Sequence, residues 1–180
     1  MRRGRRTLLL VGTAAAAAGL AAALWQNRRP AAAPAGAIPP QALWSLRFPR
    51  PEGGELALST LRGRPLLINF WATWCPPCIR EMPAIDRFAQ QFAANGWQVL
   101  GLAADQEKPV RDFLSRNPVR YPIALAGFDG IALSRQLGNE AGALPFTVAL
   151  DAQGRIAHRH LGETRFEVLA AWAEGRPKPP

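Results

Sequence analysis

Between residues 66 and 103 the chain alternates short apolar runs with one long stretch of helical spacing. Leu66 to Ala72 (Leu-Leu-Ile-Asn-Phe-Trp-Ala) follows the turn Arg62-Gly63-Arg64-Pro65 and reads as a strand buried on both faces of a sheet. Cys75 to Asn95 places Ile79, Met82, Ile85, Phe88, Ala89 and Phe92 at helical intervals and stops at Asn95-Gly96, a helix C-terminal signal. Trp97 to Ala103 is a second buried strand and Glu107 to Arg116 a second helix. A strand, a crossover helix and another apolar strand form a right-handed parallel unit. A short strand at Tyr121 to Leu125 and a helix around Ile131 to Leu137 follow. Thr147 to Asp151 and Arg155 to His160 then read as strands joined by the tight turn Ala152-Gln153-Gly154, and Arg165 to Glu174 as a closing helix. Leu43 to Phe48 and Leu56 to Leu61 predict a β-hairpin at the front. The fold class expected is α/β: a central mixed sheet with helices on both faces and an N-terminal hairpin extension.

Upstream the pattern is of another kind. The basic run Arg2 to Arg6 precedes Thr7 to Trp25, which carry no charge, and Gln26-Asn27-Arg28-Arg29 close the segment. A charged start and an apolar stretch of this length predict an export signal or signal anchor over residues 1–29. Four arginines before the segment and two after it place the N-terminus in the cytoplasm and the rest across the membrane. The segment is rich in alanine, so cleavage stays open, but the small-x-small pattern Ala35-Gly36-Ala37 lies far beyond Trp25 and an uncleaved anchor is favoured. Gly4-Arg5-Arg6-Thr7-Leu8-Leu9 also has the paired arginines of a twin-arginine signal, which leaves the export route open. Residues 30–40, rich in Ala and Pro and free of charge, have the composition of a semi-rigid spacer. The folded domain is expected over residues 41–176, on the periplasmic side of the inner membrane.

The formal charge of +9 suggests nucleic acid until the basic residues are located. Six of the 22 Lys and Arg residues lie in the first 29 positions, leaving 16 against 13 acids in the remainder. No cluster of bases and aromatics follows, so nucleic acid is excluded as a partner. Two cysteines in 180 residues cannot staple a small secreted domain, and without clustered ligands they do not close a zinc site. No metal and no cofactor beyond a redox-active Cys75–Cys78 disulfide is expected, and the chain reads as a monomer.

A thiolate attacks a disulfide, so a reactive cysteine near neutral pH needs its pKa lowered from about 8.5. Cys75 lies at the predicted strand-to-helix junction, where unpaired amide N–H groups and the helix dipole favour negative charge. The i, i+3 spacing brings Cys78 within reach of a disulfide. Cys75 is therefore expected to be the exposed attacking thiol and Cys78 the shielded resolving one. Pro76 suits the first helical position, where its missing N–H has no partner to lose. Pro76 and Pro77 also remove two donors, leaving the Cys78 N–H nearest the Cys75 sulfur. A thiolate less stabilised than that of a strong oxidant is the consequence.

Asn69-Phe70-Trp71-Ala72-Thr73-Trp74-Cys75-Pro76-Pro77-Cys78 resembles the active-site segment of the thioredoxin superfamily, and Ile79-Arg80-Glu81-Met82-Pro83 continues it in the manner of the TlpA/ResA-like extracytoplasmic branch. The similarity runs from about Leu43 to Trp172. It implies that Ala143-Leu144-Pro145-Phe146-Thr147 is the family's cis-proline loop, whose Leu144 and Pro145 face the dithiol and pair with an extended substrate segment. It implies that Glu81 carries a proton to or from Cys78, the alternative being a solvated surface acid. Thioredoxins place a buried acid where this chain has Asn69, which cannot transfer a proton. Trp74 is expected as an exposed apolar platform for a partner, Trp71 as core, and Pro83 as a bend in the helix. The branch implies a reductant of disulfides in exported proteins, such as apocytochrome c or copper-centre assembly factors, recharged by a membrane electron donor. The acid that follows the proline in dedicated cytochrome c biogenesis members is absent at Phe146, so that pathway is not assigned.

A peroxidase of the peroxiredoxin type needs a threonine three residues before its cysteine, and position 72 is alanine. Two rival functions remain. A disulfide-forming oxidant would use the same pair in reverse. A copper-binding metallochaperone-type module would draw on His158 and His160, which share one strand face, although a solvated edge-strand face near Arg155 and Arg159 is the simpler expectation.

Overall fold

In the computed structural model, residues 38–176 are described. The proposed anchor and most of the spacer lie outside them. Among the described residues no helix is long and apolar enough to cross a membrane. In chain order the elements are α1 (Pro40–Trp44), β1 (Arg47–Pro49), β2 (Glu55–Ala57), β3 (Leu66–Trp71), α2 (Pro76–Phe92), β4 (Gln98–Ala103), α3 (Glu107–Arg116), β5 (Ile123–Leu125), α4 (Asp129–Gln136), β6 (Phe146–Leu150), β7 (Ile156–Leu161) and α5 (Phe166–Ala173).

The main sheet runs β5-β4-β3-β6-β7. β3, β4 and β5 are parallel, and β6 and β7 are antiparallel to their neighbours, so the sheet is mixed as expected. β3 is central, and all six of its side chains are buried. Apolar residues on the two sheet faces form two clusters, one with α2 and α5 around Leu67, Trp71, Phe88 and Leu169, the other with α1 and α4 around Ile68, Phe70, Leu100 and Leu133. Helices thus cover both faces, the arrangement that hides a parallel sheet from water.

Where sequence and structure part, backbone chemistry explains the difference. Leu43 is not in a strand: Pro40 stands at the first turn of α1, where its lost N–H costs nothing, and Leu43 and Trp44 are buried from that short helix. The hairpin survives only as three pairs, Arg47 to Ala57 through Pro49 to Glu55. Leu58–Leu61 turn as a 3-10 helix instead of extending, and the Thr60 hydroxyl donates to the Ala57 carbonyl there. Tyr121 falls outside β5 because Pro122 has no N–H to give the ladder, although its carbonyl accepts from Gly101. Ile38, before the expected domain start, already packs in the second cluster and donates its N–H to the Gln136 carbonyl. α2 ends through a 3-10 turn at Ala93–Asn95, with Gly96 left-handed at φ 86° as the Asn-Gly signal requires.

Candidate active site

β3 ends at Trp71, whose carbonyl accepts from Ala104 and whose ring packs against Phe113 at 5.5 Å between centroids. The chain then leaves the sheet for four residues before α2 begins. This connection is held by Asp105, a buried carboxylate just past the end of β4: its Oδ2 accepts from both the N–H (2.9 Å) and the hydroxyl of Thr73, and its Oδ1 accepts from Gln106 N–H. Asp105 was not singled out from sequence. Its signal was present, a polar residue at the carboxyl end of a parallel strand, where open α/β sheets place their sites.

Cys75 is the N-cap of α2, with its own N–H bonded to the Ala72 carbonyl, and Pro76 and Pro77 occupy the first helical turn. The Cys78 N–H donates to Cys75 Sγ at 3.3 Å. No amide is available from Pro76 or Pro77, so this is the donor the sequence left to the sulfur. The two cysteines form a disulfide, with Cα atoms 5.3 Å apart. Cys78 is fully buried; Cys75, expected to be exposed, keeps only 5% of its surface. The order of accessibility is as anticipated, but both sulfurs lie in the apolar cluster of the α2 face, and Leu144 packs against that cluster as well.

Around the pair, Trp74 is 59% exposed and Trp71 is buried, each as expected. Pro76 is exposed beside Cys75. The Leu144-Pro145 bond is cis, Leu144 is half-buried, and the Pro145 carbonyl accepts from Gly162 N–H just past β7. Pro83 lies inside α2.

Glu81 is no surface acid: it is 1% exposed, in the inward stripe of α2 with Cys78, Met82, Ile85 and Phe88. Its carboxylate is cradled at both oxygens. Asn69 Nδ2 donates to Oε1 at 2.7 Å, and Thr164 N–H donates to Oε2 at 2.7 Å. Burial raises its pKa to about 7; the bonds from Thr164 and Asn69 oppose the rise, and the Glu163 charge adds to it. Asn69 Nδ2 also donates to Thr147 Oγ1 at 3.0 Å, across the register that pairs Asn69 with Thr147. The residue that cannot carry a proton instead ties the acid of α2 to the sheet. The contribution of Thr164 was invisible in sequence, because it comes from 83 residues away.

His158 and His160 do share a face of β7, but it is half-buried where a solvated one was expected. His158 stacks on Trp172 at 5.1 Å, which lowers its pKa by burial, and His160 Nε2 lies 3.1 Å from the Glu163 carbonyl. Among the described residues, no group of three or more His, Cys, Asp or Glu side chains is placed to hold a metal ion.

A disulfide at a helix N-cap, with the residue before a cis proline packed on the same apolar cluster of a mixed sheet, makes this the candidate redox site. The chain matches the family described as Redoxin over residues 32–171. It belongs to that family. The redoxin is 28% identical over 124 residues to the thiol-disulfide oxidoreductase ResA of Bacillus cereus, covering 68% of this chain and 69% of that one. It is 30% identical over 124 residues to the ResA of Halalkalibacterium halodurans, covering 68% of each. Among solved structures, the thioredoxin-related protein from Neisseria meningitidis serogroup B is 28% identical, with a TM-score of 0.64 over 72% of this chain and 96% of that one. The redoxin is a thiol–disulfide oxidoreductase of the TlpA/ResA-like branch of the thioredoxin superfamily.

Proposed function

We propose that this oxidoreductase is anchored by residues 7–25 and works on the periplasmic side of the inner membrane, reducing disulfides of exported proteins and drawing electrons from a membrane donor. The observation that carries the direction is the environment of Cys75: one backbone N–H, that of Cys78, reaches its sulfur, and two prolines stand where further donors would be. A strong oxidant depends on a reduced form stabilised by such donors, and this helix start is poor in them. The N-terminal charge pattern, four arginines before the apolar segment and two after, supports the tether and its orientation.

In the proposed cycle the Cys75 thiolate attacks one sulfur of a target disulfide and releases the other as a thiolate. Cys78 then gives its proton to ionised Glu81 and attacks the Cys75 sulfur of the mixed disulfide. Two electrons pass to the target, whose thiolates take up protons, and the Cys75–Cys78 disulfide remains. Trp74, Pro76, Leu144 and Pro145 form the apolar and backbone surface on which the target segment lies. No bound cofactor enters the cycle. Equilibration of the protein with defined glutathione buffers tests the direction. A reduction potential below about −200 mV is expected, and one near about −120 mV would make the protein an oxidant.

A further inference from the structure

Two consecutive residues of α2 grip two consecutive residues of the β7–α5 connection. The inner contact is the buried bond from Thr164 N–H to Glu81 Oε2. The outer one is an ion pair in which Arg80 Nε and Nη2 both donate to Glu163 Oε2, at 2.9 and 2.6 Å, on the exposed rim. The same connection is fastened by Gly162 N–H to the Pro145 carbonyl and by His160 Nε2 near the Glu163 carbonyl. It therefore links the substrate loop to the acid of α2.

A loop amide stays on a buried carboxylate only while the loop is held, and surface connections move more readily than the elements they join. We propose that Arg80 and Glu163 are positioning residues: their ion pair pins the Thr164 amide on Glu81 and so sets the pH at which Glu81 changes charge. The effect on disulfide exchange rests on the reading of Glu81 as the proton partner of Cys78. Arg80 acts twice, since it also balances the Glu163 charge that faces Glu81. From a neighbouring element Tyr121, ahead of β5, also faces the site, and burial together with the charges of Glu81 and Asp86 raises its own pKa. Neither Arg80 nor Glu163 touches a sulfur in this scheme.

The test follows the Glu81 carboxyl directly. Side-chain carboxyl carbon NMR on the full-length oxidised protein, with the resonance assigned by its loss in Glu81→Gln, gives the titration midpoint. The neutral double variant Arg80→Gln/Glu163→Gln removes the pin without leaving a charge behind, and should raise the midpoint by about half a pH unit. Arg80→Gln alone should raise it further, because Glu163 is then uncompensated. Arg80→Lys, which keeps the charge, should return it to within about 0.2 unit of wild type. The pH profile of exchange with a protein disulfide should move with the carboxyl. A double variant that titrates at the wild-type midpoint would overturn the proposal and leave the pair a surface contact. A carboxyl that shifts while the exchange profile stays put supports the pin, and sinks instead the reading of Glu81 as proton partner.

Discussion

Replacing Glu81 by Gln should change the stability of the protein in a way that depends on pH. The folded-state pKa of Glu81 is about 7 against an ordinary 4.5, chiefly because burial disfavours the charged carboxylate. Between those values the native state holds a proton that the unfolded state has released, so native stability falls as pH rises through that window. The gap corresponds to roughly 3 kcal/mol at about 1.4 kcal/mol per unit, present in full below pH about 4.5 and lost by pH about 8. Glutamine carries no charge, but its NH2 cannot accept as the hydroxyl of the protonated acid can, so one of the two donors, Asn69 Nδ2 or Thr164 N–H, loses its acceptor. Glu81→Gln should therefore be the less stable of the two near pH 5, by about 1–3 kcal/mol. Between about pH 5 and pH 8 the wild type should lose about 2–3 kcal/mol relative to the variant, whose stability has no such dependence at this position. Urea denaturation of the oxidised proteins at a series of pH values measures it through the midpoint at constant m. Parallel stability curves for the two proteins across that range would refute the account, since Glu81 would then titrate alike folded and unfolded.

Three further outcomes follow from the site. Cys78→Ser should accumulate a mixed disulfide with a target protein, visible on a non-reducing gel, while Cys75→Ser should form none; equal trapping by both would reverse or erase the assigned roles. Trp74→Ala removes an exposed ring and should change stability by less than about 0.5 kcal/mol. It should slow exchange with protein disulfides about tenfold and leave exchange with oxidised glutathione unchanged; an equal loss on both substrates would show that Trp74 serves the dithiol and not docking. Asp105→Ala strips the acceptor from the Thr73 amide and hydroxyl and should cost about 1–3 kcal/mol in chemical denaturation with a slower exchange rate. Unchanged values for both would remove Asp105 from the positioning of the Cys75 loop.

Sequence alone was enough to determine the order of elements from Leu66 onward and the pairing of Cys75 with Cys78, because both are local. A strand buried on both faces is apolar throughout, a crossover helix has its own period, and the Cys75–Cys78 spacing is set within one helical turn. The burial of Glu81 was left open against a solvated surface acid, and the structure places it in the stripe running from Cys78 to Phe88. The front hairpin forms, but its strands were read too long, because a short apolar run bounded by proline fits a helical turn as well as a strand, and only its packing on the sheet decides. The charge state of Glu81 could not be read from the chain. It depends on a side chain from β3 and an amide from beyond β7, brought together by sheet order and loop path. Asp105 on Thr73 and the burial of Cys75 itself are of the same kind: each is a contact between segments far apart in sequence, which exists only once the sheet has closed around it.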